Sequence, residues 1–89
     1  MEAKRERTVS LDQLSEAAWA TVAGVTVPAD AADRNLVLRL LELGFVPGER
    51  VQVVREAKPG RDPLAIRLGH TTFALRRREA AFIQVIANS

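Results

Sequence analysis

The sequence contains no cysteine and no tyrosine, and it has only one tryptophan, one histidine and three phenylalanines. Without cysteine the chain forms no disulfide and no thiolate metal site, which is compatible with a reducing cytoplasm. So few aromatic rings leave little material for stacking on bases, and nucleic acid is therefore not an expected partner. Every apolar run falls short of the roughly 18–20 residues that span a bilayer, so we expect no membrane insertion.

The length and the charge of the chain further limit the class of protein to which it can belong. The 89 residues suffice for one domain with a modest core, and 47% of them are hydrophobic, as in an ordinary globular protein. The net charge of +2 predicts no strong field for capturing nucleic acid. Residues 1–7 are charged and lead into no apolar signal segment. We therefore predict a flexible charged tail at 1–7, a single domain at 8–89 and a cytoplasmic location.

Catalytic side chains are scarce. His70 is the only histidine, and its predicted position at a hairpin tip pairs it with no nucleophile. The sequence contains neither a GxxxxGK[ST] loop nor a GxGxxG fingerprint. We therefore predict that the protein is not an enzyme and holds no cofactor. One alternative stays open, in which His70 binds a metal ion between two chains together with carboxylates such as Asp62 or Glu79.

Residues 31–43 have the apolar spacing of an amphipathic helix. Asp30 or Asp33 can cap its start, because either carboxylate can accept an N–H of the first turn. Gly44 can end it in the left-handed conformation that glycine adopts readily. One stripe of the helix is apolar and is predicted to pack on the core; it contains Leu36, Val37, Leu40, Leu41 and Leu43.

The remaining sequence predicts short strands joined by tight turns. Two Pro-Gly pairs, at 47–48 and 59–60, are typical of type II turns. Gly69 and His70 fit a two-residue type II′ hairpin turn between strands at 64–68 and about 71–75. We also expect a short turn within 8–14, strands at 19–25, 51–55 and 82–86, and a single helical turn at 76–81.

Short strands with little helix favour a closed sheet, because closure removes exposed strand edges from a small domain. We therefore predict a mainly β fold, a small barrel of about five strands with one inserted helix at 31–43. The same spacing is also compatible with an open α+β sheet, which remains the alternative.

Charged and edge residues mark the surfaces available for binding. The densest basic cluster is Arg76, Arg77 and Arg78, which can grip an acidic protein surface or nucleic acid. The alternative is a solvated turn in which these arginines pair with Glu79. On the helix, three residues lie outside the apolar stripe or at its edge: Leu38, Arg39 and Glu42.

Two sequence blocks resemble the FeoA family, the small cytoplasmic partners of bacterial ferrous iron transport. The first runs from Arg39 to Gly48 and reads RLLELGFVPG; the second runs from Phe73 to Val85 and reads FALRRREAAFIQV. The two blocks at this separation carry the resemblance, and the opening SLDQL segment fits it. The sequence departs from the family near residues 17–18, where alanines stand in place of the usual glycine.

The resemblance implies an SH3-like barrel and a partner, FeoB, which is a membrane transporter with a cytoplasmic GTP-binding domain. It implies a non-enzymatic accessory protein that binds and modulates this transporter, and it is compatible with homo-oligomers. Two alternatives are an interaction module related to the C-terminal domain of iron-dependent repressors and a basic small barrel that binds nucleic acid. From exposure and charge, the expected partner-binding residues are Leu38, Arg39, Glu42, Phe45, Arg76, Arg77 and Arg78.

Overall fold

The computed structural model describes residues 7–87, which contain six strands, two α-helices and one 3₁₀ turn. The strands are β1 (Arg7–Ser10), β2 (Trp19–Val25), β3 (Arg50–Glu56), β4 (Leu64–Leu68), β5 (Thr71–Leu75) and β6 (Ile83–Ala87). The helices are α1 (Ala31–Leu43) and α2 (Arg77–Ala80), and the 3₁₀ turn is Leu11–Gln13. The predicted tail lies outside the described residues except for Arg7, which begins β1. Residues 88–89 also lie outside them.

All six strands form one antiparallel sheet in the order β1-β6-β2-β3-β4-β5. Strand β2 is central, because Ala20 pairs with Ala87 of β6 on one side and with Val51 of β3 on the other. Register shifts in β2, between Val22 and Gly24, and in β3 mark β-bulges, which bend a strand and increase its twist. The mainly β prediction is confirmed, with one strand more than the five expected.

The additional strand is β1, where the sequence predicted only a turn within residues 8–14. Its four residues pair in register with β6, from Arg7 opposite Ala87 to Ser10 opposite Gln84. Such a short segment shows no alternation of large apolar residues, and β6 lies more than 70 residues away in the chain. The pairing is therefore set by tertiary contact and leaves no local signal in the sequence.

Side chains from every part of the sheet meet in one apolar core. The alternation predicted for residues 64–68 is confirmed, since Leu64, Ile66 and Leu68 are all buried. Residues of the first turn, of β2, of β3 and of β6 join the same cluster, so the sheet curves around a shared interior. The largest fully buried side chains are Phe45, Leu11, Leu40, Leu64, Ile66, Ile83, Val22, Val51, Val53 and Val85.

Helix α1 begins and ends where the sequence predicted. The Asp30 carboxylate accepts the N–H of Asp33 at 3.2 Å, and Gly44 ends the helix with φ 117°. Only Val37 and Leu40 of the predicted stripe are buried. Leu36 and Leu41 are half-buried, and Leu43 is 39% exposed. The helix therefore rests on the sheet along a narrow line and leaves apolar surface open on both flanks.

Two of the three predicted turns are as expected. The N–H of Glu49 donates to Val46 O at 3.2 Å, and Gly48 has φ 95°, as a type II turn requires. Gly69 has φ 61° between β4 and β5, which fits the predicted hairpin. A turn is also present at residues 58–60, but the expected type II geometry is wrong there, because Arg61 and not Gly60 takes the positive φ, at 63°. In this conformation the Arg61 side chain donates to the Glu56 carboxylate at the end of β3, at 2.8 Å.

Candidate functional site

A groove of about 470 Å³ separates α1 from β5 and the start of α2. We call it the α1–β5 groove; the residues that define it are Leu36, Arg39, Leu43, Phe73, Ala74 and Arg76. Its floor is apolar because the outer part of the α1 stripe has no sheet residue to cover it. The incomplete packing of α1 thus leaves a concave surface between the helix and the edge of the sheet.

Two arginines give the rim of this groove a positive charge. Arg39 comes from α1 and Arg76 from the end of β5, so the two sequence blocks meet here. Within residues 7–87 neither of these arginines forms an ion pair. The acidic residue of the groove is Glu79, whose Oε1 accepts the N–H of Arg76 at 2.7 Å. The groove therefore presents two available cations above an apolar floor.

Arg77, predicted as a partner-binding residue, instead holds the protein together. Its guanidinium donates to the main-chain oxygens of Asp12 and Arg61, the latter at 2.9 Å, and lies 3.3 Å from Glu56 Oε2. Its N–H donates to Asp62 Oδ1 at 2.8 Å. The side chain is only 24% exposed. The prediction for Arg77 is corrected accordingly, because its donors are already used between α2, the 3₁₀ turn and the β3–β4 connection.

The acid in this network, Glu56, is buried at the end of β3. The hydrogen bond from Arg61 to Oε1, at 2.8 Å, is the main cause that lowers the pKa of Glu56. Burial opposes the shift, and the charges of Arg61, Arg77 and Lys58 support it. The same carboxylate raises the pKa of Arg61 above its ordinary value. Glu56 is thus held ionised, as a structural counter-charge.

Phe45 was expected on the binding surface and is instead fully buried. The chain reverses at Gly44, and the N–H of Phe45 donates to Leu40 O at 3.1 Å. This reversal directs the ring inward, where its centroid lies 5.6 Å from that of Phe73. Phe45 cannot contact a partner in this conformation, so the prediction is wrong for this residue.

The other predicted residues lie on separate parts of the surface. Leu38 is 56% exposed and lines a second groove of about 260 Å³ on the opposite flank of α1, with Val27 and Pro28. Glu42 is exposed on α1. Arg78 is exposed and its Nη1 lies 3.9 Å from Asp33 Oδ1. The structure therefore brings together only Arg39 and Arg76 from the predicted set.

Three floor residues of the α1–β5 groove were missed, because Leu36, Leu43 and Phe73 all follow patterns typical of core residues. No signal in the sequence distinguishes a leucine that packs on the sheet from one that lines a groove beside it. The difference depends on how far the helix stands from the sheet. Val37 and Leu40 are the residues of α1 that are buried.

The predicted metal candidate, His70, is exposed between β4 and β5. Within residues 7–87, no group of three or more potential ligands from histidine, aspartate and glutamate lies close enough to hold a metal ion. The suggested carboxylates, Asp62 and Glu79, each accept a main-chain N–H of their own chain. Metal binding by His70 between chains stays a prediction. No helix in the described part of the chain is long and apolar enough to cross a membrane.

Comparison with solved structures confirms the SH3-like fold. The chain is 38% identical to FeoA of Stenotrophomonas maltophilia, over 86% of this chain and 88% of that one, with a TM-score of 0.77. That protein, crystallised with zinc, is described as an SH3 domain protein suggested as a bacterial ferrous iron transport activating factor. FeoA of Chlorobium tepidum is 32% identical over 91% of this chain and 71% of that one, with a TM-score of 0.73.

A more distant solved structure has the same fold. IdeR of T. acidophilum has a TM-score of 0.72 and 14% identity, over 98% of this chain and 37% of that one. At this identity the likeness shows a shared fold and nothing more. No curated protein matches the sequence. The FeoA domain model matches residues 9–87, almost the entire described range. Together with the two close structural relatives, this match establishes that the chain belongs to the FeoA family.

Proposed function

We propose that this protein is a non-enzymatic accessory protein of bacterial ferrous iron uptake, acting in the cytoplasm on the GTP-binding domain of a FeoB-like transporter. The observation that carries the proposal is family membership, at 38% identity to a relative described in terms of ferrous iron transport. The family relationship extends over the whole described fold. We therefore infer the accessory role from the entire domain and not from a single motif.

The α1–β5 groove is the surface that best supports docking. Protein interfaces concentrate their binding energy in a few residues that occupy apolar pockets, and arginine is enriched among them. Arg39 and Arg76 provide two such side chains on one concave surface, and neither is needed for an ion pair within residues 7–87. Docking here can use both cations without breaking an ion pair of residues 7–87.

Calorimetry against the purified cytoplasmic domain of a FeoB-like transporter from the same genome tests the proposal. Arg39→Glu and Arg76→Glu are each expected to weaken binding at least about tenfold, since each reverses a charge at the groove. Arg55→Glu is the matched control, because Arg55 is exposed on β3 outside the groove. Failure of the unmodified protein to bind the domain would overturn the proposed function. Equal binding by all variants would show that the transporter domain docks on a surface other than this groove.

A second measurement connects binding to uptake. In a strain that lacks this protein, the unmodified chain should restore accumulation of radioactive ferrous iron, and the two groove variants should restore less. The GTP hydrolysis rate of the purified domain, measured with and without the protein, then gives the sign of the modulation. Full restoration by both groove variants at equal protein levels would contradict a role for the groove.

A further inference from the structure

Strand β5 leaves main-chain hydrogen-bonding groups available at the edge of the sheet. Within residues 7–87, its only strand neighbour is β4. The two-residue hairpin makes Leu68 and Thr71 a hydrogen-bonded pair, and the register then alternates along the strand. Thr72 and Ala74 consequently occupy non-hydrogen-bonded positions, and their N–H and C=O groups point away from β4. These groups border the α1–β5 groove, to which Ala74 contributes directly.

This edge lacks the usual features that prevent pairing with another chain. Proteins commonly protect an edge strand with lysine, proline or a bulge. Strand β5 reads TTFAL, contains no charge and no proline, and pairs with β4 without a register shift. Thr72 and Ala74 are exposed. An unprotected edge beside a groove is the arrangement that proteins use to accept an extended peptide as an added strand.

The chemistry of the groove indicates what kind of peptide fits. Leu36, Leu43 and Phe73 offer an apolar floor, and Arg39 and Arg76 offer two cations. Grooves that bind polyproline helices are lined by several aromatic rings, whereas this groove has only the ring of Phe73. Its volume of about 470 Å³ lies within the range of ligand sites, roughly 300–1,000 Å³.

We propose that the α1–β5 groove binds an extended, acidic segment of a partner protein, which adds to the edge of β5 as a further strand. The peptide's main chain pairs with Thr72 and Ala74, an aliphatic side chain fills the floor, and carboxylates contact Arg39 and Arg76. Strand addition gives the binding mode for the docking role proposed above. It rests on that proposed function only in assuming that the partner is a protein.

Nuclear magnetic resonance with defined peptides tests the binding mode. The probe is a nine-residue peptide of alternating valine and glutamate, added to the full-length ¹⁵N-labelled protein. The amide signals of Thr72 and Ala74 should shift, and their hydrogen exchange should slow at least about tenfold as their N–H groups become paired. A peptide with lysine in place of glutamate should bind at least tenfold more weakly. Equal binding of both peptides, or no change at these two amides, would overturn the proposal.

Backbone variants separate strand addition from simple charge attraction. Ala74→Pro removes an outward N–H without removing a hydrogen bond to β4, and it should abolish peptide binding. Ala74→Val keeps that N–H and should retain binding. A probe peptide with alternate amides N-methylated should also fail to bind, and this measurement decides the matter if Ala74→Pro does not fold. Binding of the N-methylated peptide at full strength would refute strand addition.

Three further outcomes would show that something else occupies the groove, or which of the two proposals is wrong. If sedimentation shows that the protein alone is a dimer, and Ala74→Pro makes it monomeric, the occupant is a second copy and the peptide proposal is wrong. If the transporter domain binds the Ala74→Pro and unmodified proteins equally, strand addition is wrong and the proposed docking role survives. If the acidic peptide binds but the transporter domain does not, the proposed function fails and the binding mode stands.

Discussion

The guanidinium of Arg77 lies 3.3 Å from Glu56 Oε2, while Arg61 holds Oε1 of the same carboxylate at 2.8 Å. Glu56 ends β3, Arg61 lies in the β3–β4 connection and Arg77 begins α2. One buried acid thus connects three parts of the chain. Arg77, the middle residue of the basic cluster, therefore stabilises the fold and is not available to a partner.

The pKa of Glu56 predicts a pH dependence of stability. The hydrogen bond from Arg61 lowers that pKa below its ordinary value of 4.5, so the folded state favours the ionised acid. A depressed pKa contributes stability above the unfolded-state pKa, and this contribution is lost as pH falls through the folded-state pKa. The free energy of unfolding should therefore decrease as pH is lowered from 4.5, as measured by urea titration at several pH values.

Glu56→Gln should be less stable than the unmodified protein near neutral pH, and its stability should fall less steeply on acidification. Glu42→Gln is the matched control for loss of one carboxylate, because Glu42 is exposed on α1 and takes no part in the Glu56 network. Identical profiles for Glu56→Gln and the unmodified protein would show that the carboxylate contributes no proton linkage.

Ala17 predicts a stabilising substitution. Its φ is 71°, a left-handed conformation that costs an L-residue about 1–2 kcal/mol. The conformation is fixed because the N–H of Ala17 donates to Val53 O and its C=O accepts from the Gln52 side chain at 3.1 Å. This position lies within the departure from the family pattern, where glycine is usual. The backbone therefore keeps a geometry suited to glycine although alanine is present.

Ala17→Gly should raise the free energy of unfolding by up to about 1 kcal/mol, since relief of the left-handed cost exceeds the entropy that glycine adds to the unfolded chain. Ala23→Gly, at an exposed position of β2, should instead lower it by about 0.5–1 kcal/mol. Chemical denaturation of the three proteins measures both changes. Destabilisation by both substitutions would refute the argument.

Alanine substitutions at three glycines distinguish the cost of backbone strain from the cost of steric crowding. Gly44 has φ 117°, and a Cβ there would lie 3.2 Å from Leu68 Cδ2; Gly48 has φ 95° and open space around the Cβ position. Gly48→Ala should cost about 1–3 kcal/mol from the backbone alone, and Gly44→Ala should cost more. Gly60 has neither constraint, so Gly60→Ala should be neutral or slightly stabilising. Equal costs at Gly44 and Gly48 would show that the Leu68 contact is relieved without penalty.

Local chemistry explains why much of the fold could be predicted. The Asp30 cap, the Gly44 stop and the Pro47–Gly48 turn each depend on residues within a few positions of one another, so their geometry is encoded locally. The alternation along β4 likewise follows from the period of a strand. In contrast, β1 depends on pairing with β6, more than 70 residues along the chain, and no local pattern in the sequence indicates it. The turn at 58–61 was assigned the wrong type, although the Glu56 partner of Arg61 is only five residues away.

The site was less predictable for the same physical reason. Phe45 and Arg77 stand next to exposed residues in the sequence, but the fold turns the first inward and engages the second in four hydrogen bonds. Arg39 and Arg76 lie in separate sequence blocks, and only the position of α1 relative to β5 brings them to one groove. Charge can be read from the sequence, whereas the availability of that charge depends on tertiary contacts.

The different roles of neighbouring arginines give a direct test. Arg77→Ala should lower the free energy of unfolding by about 1–3 kcal/mol, because the part-buried main-chain oxygen of Asp12 loses this donor and Glu56 Oε2 keeps, within residues 7–87, only the bond from Arg61 at 3.4 Å. Arg76→Ala should change it by no more than about 0.5 kcal/mol, since its side chain is exposed and its N–H remains bonded to Glu79. Urea titration measures both, and Arg77→Lys serves as a control that keeps the charge but cannot reproduce the planar set of donors. If Arg77→Lys is as stable as the unmodified protein, charge alone explains the role of Arg77. If Arg76→Ala proves as destabilising as Arg77→Ala, the division of the cluster into structural and available arginines is wrong.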